Sequence, residues 1–169
     1  MPSRIEHQAS LPAGAGAVYS VLVDPVFLAD RLDAIGGADA ALVDHGESPD
    51  GVAFRLRQGL PAARLPSAVR SLLNGDLVVT RDETWRAEPA GGYRGTVRAT
   101  IPGVPGEITG GMRLVDAGDC GSELVISAQV RVGIPFVGGK LEGLIAEQVG
   151  KLLAGEAEFT EKWLANRDT

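Results

Sequence analysis

The last part of the chain carries the pattern that most restricts its fold. From about Lys140 to Asn166, apolar residues recur every three or four positions, which is the spacing of one face of an α-helix. They are Leu141, Leu144, Ile145, Val149, Leu152, Phe159 and Trp163. At 1.5 Å per residue such a helix extends about 40 Å, enough to cross a small domain. The rest of the chain must therefore supply one broad apolar surface for it.

The sequence from 40 to 132 has the alternation of apolar and polar residues that predicts β-strands. Turn-forming segments, ESPDG, EPAGG, PGVPG and DAGDCG, separate most of the strands. The predicted strands are Arg4–Leu11, Ala40–His45, Val52–Gln58, Asp76–Arg86, Tyr93–Ile101, Glu107–Val115 and Glu123–Val132. The run Asp44-His45-Gly46 reads as a turn.

Two short helices are predicted between the first two strands. One follows Pro12, and the other begins at the cap pair Asp24-Pro25 and ends at Gly36. The segment Leu60–Leu73, which has two prolines and a predicted short helix after Pro66, could form a lid over the mouth of a pocket. The whole chain is expected to be one α+β domain, 1–169, in which a curved seven-stranded antiparallel sheet wraps around the long C-terminal helix.

Charge and composition exclude several classes of function. The net charge of −6 argues against a nucleic-acid partner, because phosphate binding needs a basic surface. Cys120 is the only cysteine, so neither an intramolecular disulfide nor a cysteine zinc cluster can form. Two histidines and no EF-hand spacing predict no metal, and we expect no cofactor. No signal peptide or membrane-spanning run is recognisable, so we expect a soluble, cytoplasmic protein without stable membrane insertion.

The segment GIPFVGGKLEGLI, 133–145, resembles a phosphate-binding loop but lacks its chemistry. Gly133 is one position too early for the G-x-x-x-x-G-K-[ST] motif, and Leu141 stands where Ser or Thr is required. The segment is better interpreted as a hinge, in which Pro135 ends a strand and Gly138 and Gly139 let the chain turn close to the sheet. This interpretation makes Phe136, Val137, Leu141, Leu144 and Ile145 candidate pocket-lining residues.

The order of elements resembles the helix-grip (SRPBCC) superfamily of START domains, Bet v 1-like proteins and polyketide cyclases. Three stretches, GDLVVTRDETWR (Gly75–Arg86), IPFVGGKLEGLI (Ile134–Ile145) and FTEKWLA (Phe159–Ala165), resemble more narrowly an actinobacterial family described as a domain of unknown function, DUF2505. The resemblance implies a curved sheet gripping the C-terminal helix around an internal pocket for an apolar ligand. Because the superfamily contains binders, transfer proteins and enzymes, the fold does not assign an activity.

Several polar residues occupy apolar faces. Arg81, Glu83 and Trp85 share one strand face, which forms an ion pair beside an aromatic wall if it points inward and a solvated pair if it points outward. Trp85 and the alternation of Leu77 and Val79 favour the inward orientation. His7 shares a face with Ile5, so it is either a satisfied core residue or a proton-transfer group.

The long helix carries two more polar candidates. Gln148 falls near the centre of the apolar stripe and Glu156 at its flank. They are either polar groups of a pocket, or an amide bonded to a strand and a carboxylate at the protein edge. The full set of candidate ligand-binding residues is His7, Phe54, Leu56, Arg81, Glu83, Trp85, Val97, Met112, Phe136, Val137, Leu141, Leu144, Ile145, Gln148, Val149, Leu152 and Glu156.

Three functions fit these observations. The first is binding or transport of a hydrophobic small molecule, such as a lipid, sterol or polyketide. The second is a cyclase or aromatase that uses His7, Glu83 or Glu156 as acid or base. The third is a protein-interaction module with a filled core that docks through a helix stripe of small residues, Gly143, Ala146, Gly150, Ala154 and Ala157. A monomer and a homodimer are both compatible with the sequence.

Overall fold

A computed structural model describes residues 3–60 and 77–167. The strands are β1 (Ser3–Leu11), β2 (Ala41–Ser48), β3 (Gly51–Leu60), β4 (Leu77–Ala87), β5 (Tyr93–Thr100), β6 (Gly106–Ala117) and β7 (Gly121–Val132). They form an antiparallel sheet in the order β1-β7-β6-β5-β4-β3-β2, so that β1 and β2 are its edge strands. The helices are α1 (Ala15–Leu22), α2 (Pro25–Ile35) and α3 (Gly138–Arg167). The predicted α+β helix-grip fold is confirmed.

Local chemistry explains where the two short helices begin. The side chain of Asp24 accepts a hydrogen bond of 2.9 Å from the backbone N–H of Val26, and Pro25 occupies the first turn of α2. The N-cap of α1 is Gly14, which has no side chain to cap the helix. Asp116 of β6 accepts a 2.7 Å hydrogen bond from the N–H of Ala15 instead. This contact attaches α1 to the sheet.

The core lies between the inner face of the sheet and α3. Alternate residues of each strand point inward, and α3 packs mainly against β1 and β7. Phe27 and Leu28 of α2 are completely buried, and the Phe27 ring contacts the rings of Phe159 and Trp163 on α3. The predicted apolar face of the C-terminal helix is therefore the face that closes the core.

The prediction for β2 was wrong at its end. β2 continues through His45 to Ser48, so His45 lies within a strand and not in a turn. Its ring stacks on Phe54 of β3 with centroids 6.1 Å apart, and its Nε2 is 2.7 Å from the carbonyl oxygen of Val23. These contacts across the chain outweigh the local turn preference of Asp44-His45-Gly46.

Two further expectations concern the segment 60–73 and membrane-spanning helices. The predicted short helix and lid, 60–73, fall almost entirely outside the residues that the structure describes. Within the described part of the chain, no helix combines the length and apolarity needed to span a bilayer.

Candidate functional site

A cavity of about 430 Å³ lies between the inner face of the sheet and α3. Its polar lining consists of Gln58, Arg81, Gln148 and Lys151. Its apolar lining comes from Ile5, Ala34, Ile35, Val79, Val97, Ala99, Ile101, Ile108, Met112, Ile126, Ala128, Ile145, Val149, Leu152 and Leu153. Because Ala34 of α2 and Lys151 of α3 are exposed, the cavity reaches the surface between these two helices. Side chains thus leave an apolar chamber where the sheet curves away from the helix.

A second cavity, of about 30 Å³, lies beside the first and has a more polar lining. The two cavities share a wall made of Arg81, Met112, Ile126 and Leu153. The other polar residues of the small cavity are His7, Arg31, Glu83, Glu156 and Thr160, and the indole of Trp85 also lines it. The arrangement is an apolar chamber with a small polar compartment behind it.

Four buried charged side chains form the polar compartment. Nη1 of Arg81 lies 2.8 Å and 3.1 Å from the two carboxylate oxygens of Glu156, and its Nε lies 2.8 Å from Oε2 of Glu83. Nε of Arg31 lies 3.7 Å from Oε2 of Glu156. The network joins α2, β4 and α3. Because it contains two guanidinium groups and two carboxylates, its charges balance.

Neutral donors complete the network. Gln58 Nε2 donates to Oε2 of Glu156 at 3.4 Å, and Trp85 Nε1 donates to Oε1 of Glu83 at 3.2 Å. The hydroxyl of Thr160 donates to the backbone oxygen of Glu156 at 2.7 Å. The bonds from Gln58 and Trp85 help to orient the two carboxylates, and such partners are what a buried charge needs if it is to remain charged.

The protonation states follow from this geometry. Burial by itself raises the pKa of Glu156, but the charges of Arg31 and Arg81 and the hydrogen bonds from Arg81 and Gln58 outweigh burial and lower that pKa from 4.5 to about 2. Burial lowers the pKa of Arg81, and Glu156 and Glu83 reverse this effect and raise the pKa. Burial lowers the pKa of Arg31 despite the nearby Glu156, yet a guanidinium stays charged in proteins. Glu156 is therefore an ionised carboxylate at neutral pH.

The alternation of side chains along β4 places Arg81, Glu83 and Trp85 on the same face of the strand. Arg81, Glu83 and Trp85 are at most 8% exposed, so the predicted inward orientation of this face of β4 is confirmed. Space for the indole comes from Gly95 on β5, where an added Cβ would lie 2.9 Å from Cδ2 of Trp85. The opposite face of β4 is exposed to solvent, and there Asp82 pairs with Arg55 of β3.

Most of the residues singled out from the sequence lie at these two cavities. The large cavity is lined by Arg81, Val97, Met112, Ile145, Gln148, Val149 and Leu152. The small cavity is lined by His7, Arg81, Glu83, Trp85, Met112 and Glu156. Glu156, predicted at the flank of the apolar stripe, is only 6% exposed, whereas Gln148, predicted near its centre, is half-buried. The carboxylate lies deeper because it has two guanidinium partners.

The expectation that Phe136 and Val137 line the pocket was wrong. The side chain of Phe136 is fully exposed and that of Val137 is 36% exposed. Phe136 has φ of 71°, in the left-handed region, and this backbone conformation directs the ring away from the core. The hinge interpretation itself holds at Gly138, where an added Cβ would lie 2.7 Å from the carbonyl oxygen of Val132.

Four other candidates pack in the core without lining either cavity. Phe54, Leu56 and Leu141 are buried, and Leu144 is half-buried against the same core. On β3, Phe54 and Leu56 lie beside Glu83 and Arg81 respectively, so they cover the ion pairs from the edge side of the sheet. Their role is to exclude water from the charged network.

Sequence reasoning missed Arg31, Gln58 and Thr160. Two of them, Arg31 and Gln58, had a positional signal. Arg31 lies four residues after Phe27 on the buried face of α2, and Gln58 continues the inward alternation of Val52, Phe54 and Leu56. A polar residue that interrupts an apolar face in this way indicates a buried partner elsewhere in the chain.

The chain matches a protein family and uncharacterized relatives by sequence. The family model described as "Protein of unknown function (DUF2505)" matches residues 6–164. Uncharacterized proteins of Mycobacterium tuberculosis and Mycobacterium bovis are 36% identical to the chain over 103 residues, which is 60% of this chain. The match covers 59% of the length of each relative.

Solved structures show the same fold. The Zhui aromatase/cyclase from Streptomyces sp. R1128 has a TM-score of 0.65 at 15% identity and covers 100% of this chain and 97% of its own. Norcoclaurine synthase from Thalictrum flavum has a TM-score of 0.61 at 16% identity, covering 98% and 87%. A START superfamily protein from Mycobacterium smegmatis has a TM-score of 0.58 at 12% identity, covering 95% and 98%. Identities this low establish the fold and no activity.

Proposed function

This chain belongs to the DUF2505 family, and we propose that it binds a hydrophobic small molecule, such as a lipid, sterol or polyketide-like compound, in the chamber between sheet and helix. The observation that carries the proposal is the unfilled cavity of about 430 Å³. Protein interiors are normally packed as densely as organic crystals, so a void of this size is unusual unless something occupies it. Its volume falls within the range of roughly 300–1,000 Å³ that is typical of small-molecule sites.

The composition of the lining supports an apolar ligand. Aliphatic side chains from five strands and two helices surround the chamber, and its polar groups are few. Binding free energy would come from removing apolar surface from water, roughly 25 cal/mol per Å² before the cost of ordering the ligand. The exposed residues at the mouth, Ala34 and Lys151, provide a route for the ligand from solvent.

The alternative of cyclase or aromatase chemistry has less support from the polar groups. With a pKa of about 2, Glu156 has no proton to donate at neutral pH, and its two guanidinium partners make it a weak base. Glu83 is held by Arg81 and by the indole of Trp85. These contacts suit a structural network that shapes the chamber, so we propose binding as the function.

Native mass spectrometry of the protein purified from the organism that encodes it tests this proposal. We expect wild-type protein to carry a non-covalent apolar compound. The variant Val149→Trp fills the chamber from α3 and should lose that compound, whereas Ala154→Trp, on the exposed side of the same helix, should keep it. Wild-type protein without bound mass, or a Val149→Trp variant that retains it, would contradict the proposal.

A further inference from the structure

We propose that the ligand carries a neutral carbonyl oxygen, as in a ketone, ester or amide, at one end of an apolar body, and that this oxygen binds in the small cavity beside Arg31. The inference rests on the function proposed above and names the chemical class of the ligand. It comes from three features of the small cavity, namely its free donors, its size and its charge balance.

Among the described residues, the small cavity contains two buried N–H donors of Arg31 that lack an acceptor, whereas the unpaired Oε2 of Glu83 still lies 2.8 Å from Nε of Arg81. Arg31 is only 5% exposed, and its Nε and Nη2 have no hydrogen-bond partner within the part of the chain that the structure describes. The nearest carboxylate oxygen, Oε2 of Glu156, lies 3.7 Å from Nε, which is an ion pair but not a hydrogen bond. Nε2 of His7, in the same cavity, also has no hydrogen-bond partner among the described residues, and the tautomer of the ring decides whether this atom donates or accepts. Buried N–H groups are rarely left in this state, because each loses its bonds to water.

The size of the cavity limits what can satisfy these donors. A volume of about 30 Å³ admits one or two oxygen-sized atoms and no alkyl chain. The wall shared with the large chamber includes Met112, whose unbranched side chain adapts easily to new neighbours. A molecule that occupies the chamber can therefore extend one terminal group past Met112 towards Arg31.

The charge balance selects among possible terminal groups. Arg31 and Arg81 already balance Glu83 and Glu156, so a carboxylate arriving from the ligand would add a buried negative charge without a countercharge. A hydrocarbon end would leave the N–H groups of Arg31 unsatisfied. A carbonyl oxygen accepts from them and adds no charge, because a guanidinium only donates. The compartment thus favours a neutral acceptor over a carboxylate and over a hydrocarbon end.

Isothermal titration calorimetry with three probes of matched shape tests the inference. Acetylnaphthalene presents a carbonyl, isopropenylnaphthalene has a CH2 group in place of that oxygen, and naphthoate presents a carboxylate. We expect acetylnaphthalene to bind at least about ten-fold more tightly than either of the others, the difference expected for one hydrogen bond to a charged donor. Equal affinities for the ketone and the hydrocarbon, or tighter binding of naphthoate, would overturn the inference and leave the proposed function standing. If none of the three binds, the inference fails, and native mass spectrometry of the wild-type protein decides separately whether the proposed function stands.

The variant Arg31→Lys assigns the effect to the guanidinium. Lysine keeps the charge but cannot present the same fork of N–H groups. We expect the affinity for acetylnaphthalene to fall about ten-fold and that for isopropenylnaphthalene to stay unchanged. Arg57→Lys, on the exposed face of β3, is the control and should change neither affinity. Equal losses for both probes would show a purely structural role for Arg31 and overturn the inference.

If Arg31→Lys does not fold, a measurement on the wild-type protein tests the inference instead. The infrared carbonyl stretch of bound acetylnaphthalene should lie at lower frequency than in an alkane solvent, because the oxygen accepts hydrogen bonds from a cation. An unshifted band would overturn the inference. A crystal structure with a water molecule alone in the small cavity, and the ketone confined to the large chamber, would do the same.

Discussion

Oε2 of Glu156 lies 2.8 Å from Nη1 of Arg81, and this contact joins the middle of α3 to β4 inside the domain. Both side chains are less than 10% exposed. The separation of 75 residues along the chain means that neither position has a local reason to be charged. The pair therefore couples the position of α3 to the inner face of the sheet at the boundary between the two cavities.

Replacement of Glu156 by Gln should strongly destabilise the fold. The change leaves two buried guanidinium groups with only Glu83 to balance them. Removal of one partner from a buried ion pair typically costs about 3–5 kcal/mol, and we expect a loss of that size in the free energy of unfolding. Urea denaturation followed by circular dichroism measures it.

The variant Glu158→Gln is the control for this change. Glu158 lies on the exposed side of α3, 3.0 Å from Lys162, in an ion pair between side chains that are both about two-thirds exposed. Solvent screens such pairs, so we expect a change of no more than about 0.5 kcal/mol. If Glu156→Gln costs as little as Glu158→Gln, the buried network does not stabilise the fold as described.

The stability of the protein should also depend on pH through Glu156. Its pKa is lowered from 4.5 to about 2 in the folded state, so its ionised form stabilises the fold above pH 4.5. That contribution should be lost progressively as the pH falls from 4.5 towards 2, by on the order of 3 kcal/mol. Urea denaturation of wild-type protein and Glu156→Gln across this range measures it. Parallel pH profiles for the two proteins would contradict the assignment.

Gly95→Ala should destabilise the sheet beside the polar compartment. An added Cβ would lie 2.9 Å from Cδ2 of Trp85, Cε of Met112 and the carbonyl oxygen of Thr84. Met112 can move aside, but the indole and the backbone cannot, so we expect a loss of about 1–3 kcal/mol and altered emission of Trp85. Gly111→Ala on β6 is the control, because its nearest neighbour would be 3.8 Å away. Equal stability of both variants would contradict the close packing around Trp85.

Substitutions of Phe136 test the backbone conformation of the hinge between β7 and α3. Its side chain is fully exposed, so its removal takes away no packing, while its φ of 71° favours glycine over any residue with a Cβ. We expect Phe136→Gly to exceed Phe136→Ala in unfolding free energy by about 1 kcal/mol. Thermal and urea denaturation compare the two variants. The opposite order would show that this residue does not adopt the left-handed conformation.

Much of the fold could be predicted because its signals are local. The alternation in β4 placed Arg81 and Trp85 on one inward face, and the three-and-four spacing after Lys140 predicted α3 within two residues of its ends. Phe136 could not be placed in this way. Its apolar character suggested burial, but the sign of one backbone angle decides where its ring points, and no spacing rule reports that angle.

The sequence by itself determined the strands and helices, apart from the end of β2, and most of the faces they bury, because periodicity follows directly from backbone geometry. It also required some partner for each polar residue on an apolar face. Only the tertiary structure decided that Glu156 finds Arg31 and Arg81, and that Met112 stands between an apolar chamber and a polar compartment. The reason is physical, since electrostatic pairing and cavity volume depend on distances of a few ångströms between elements far apart in the chain.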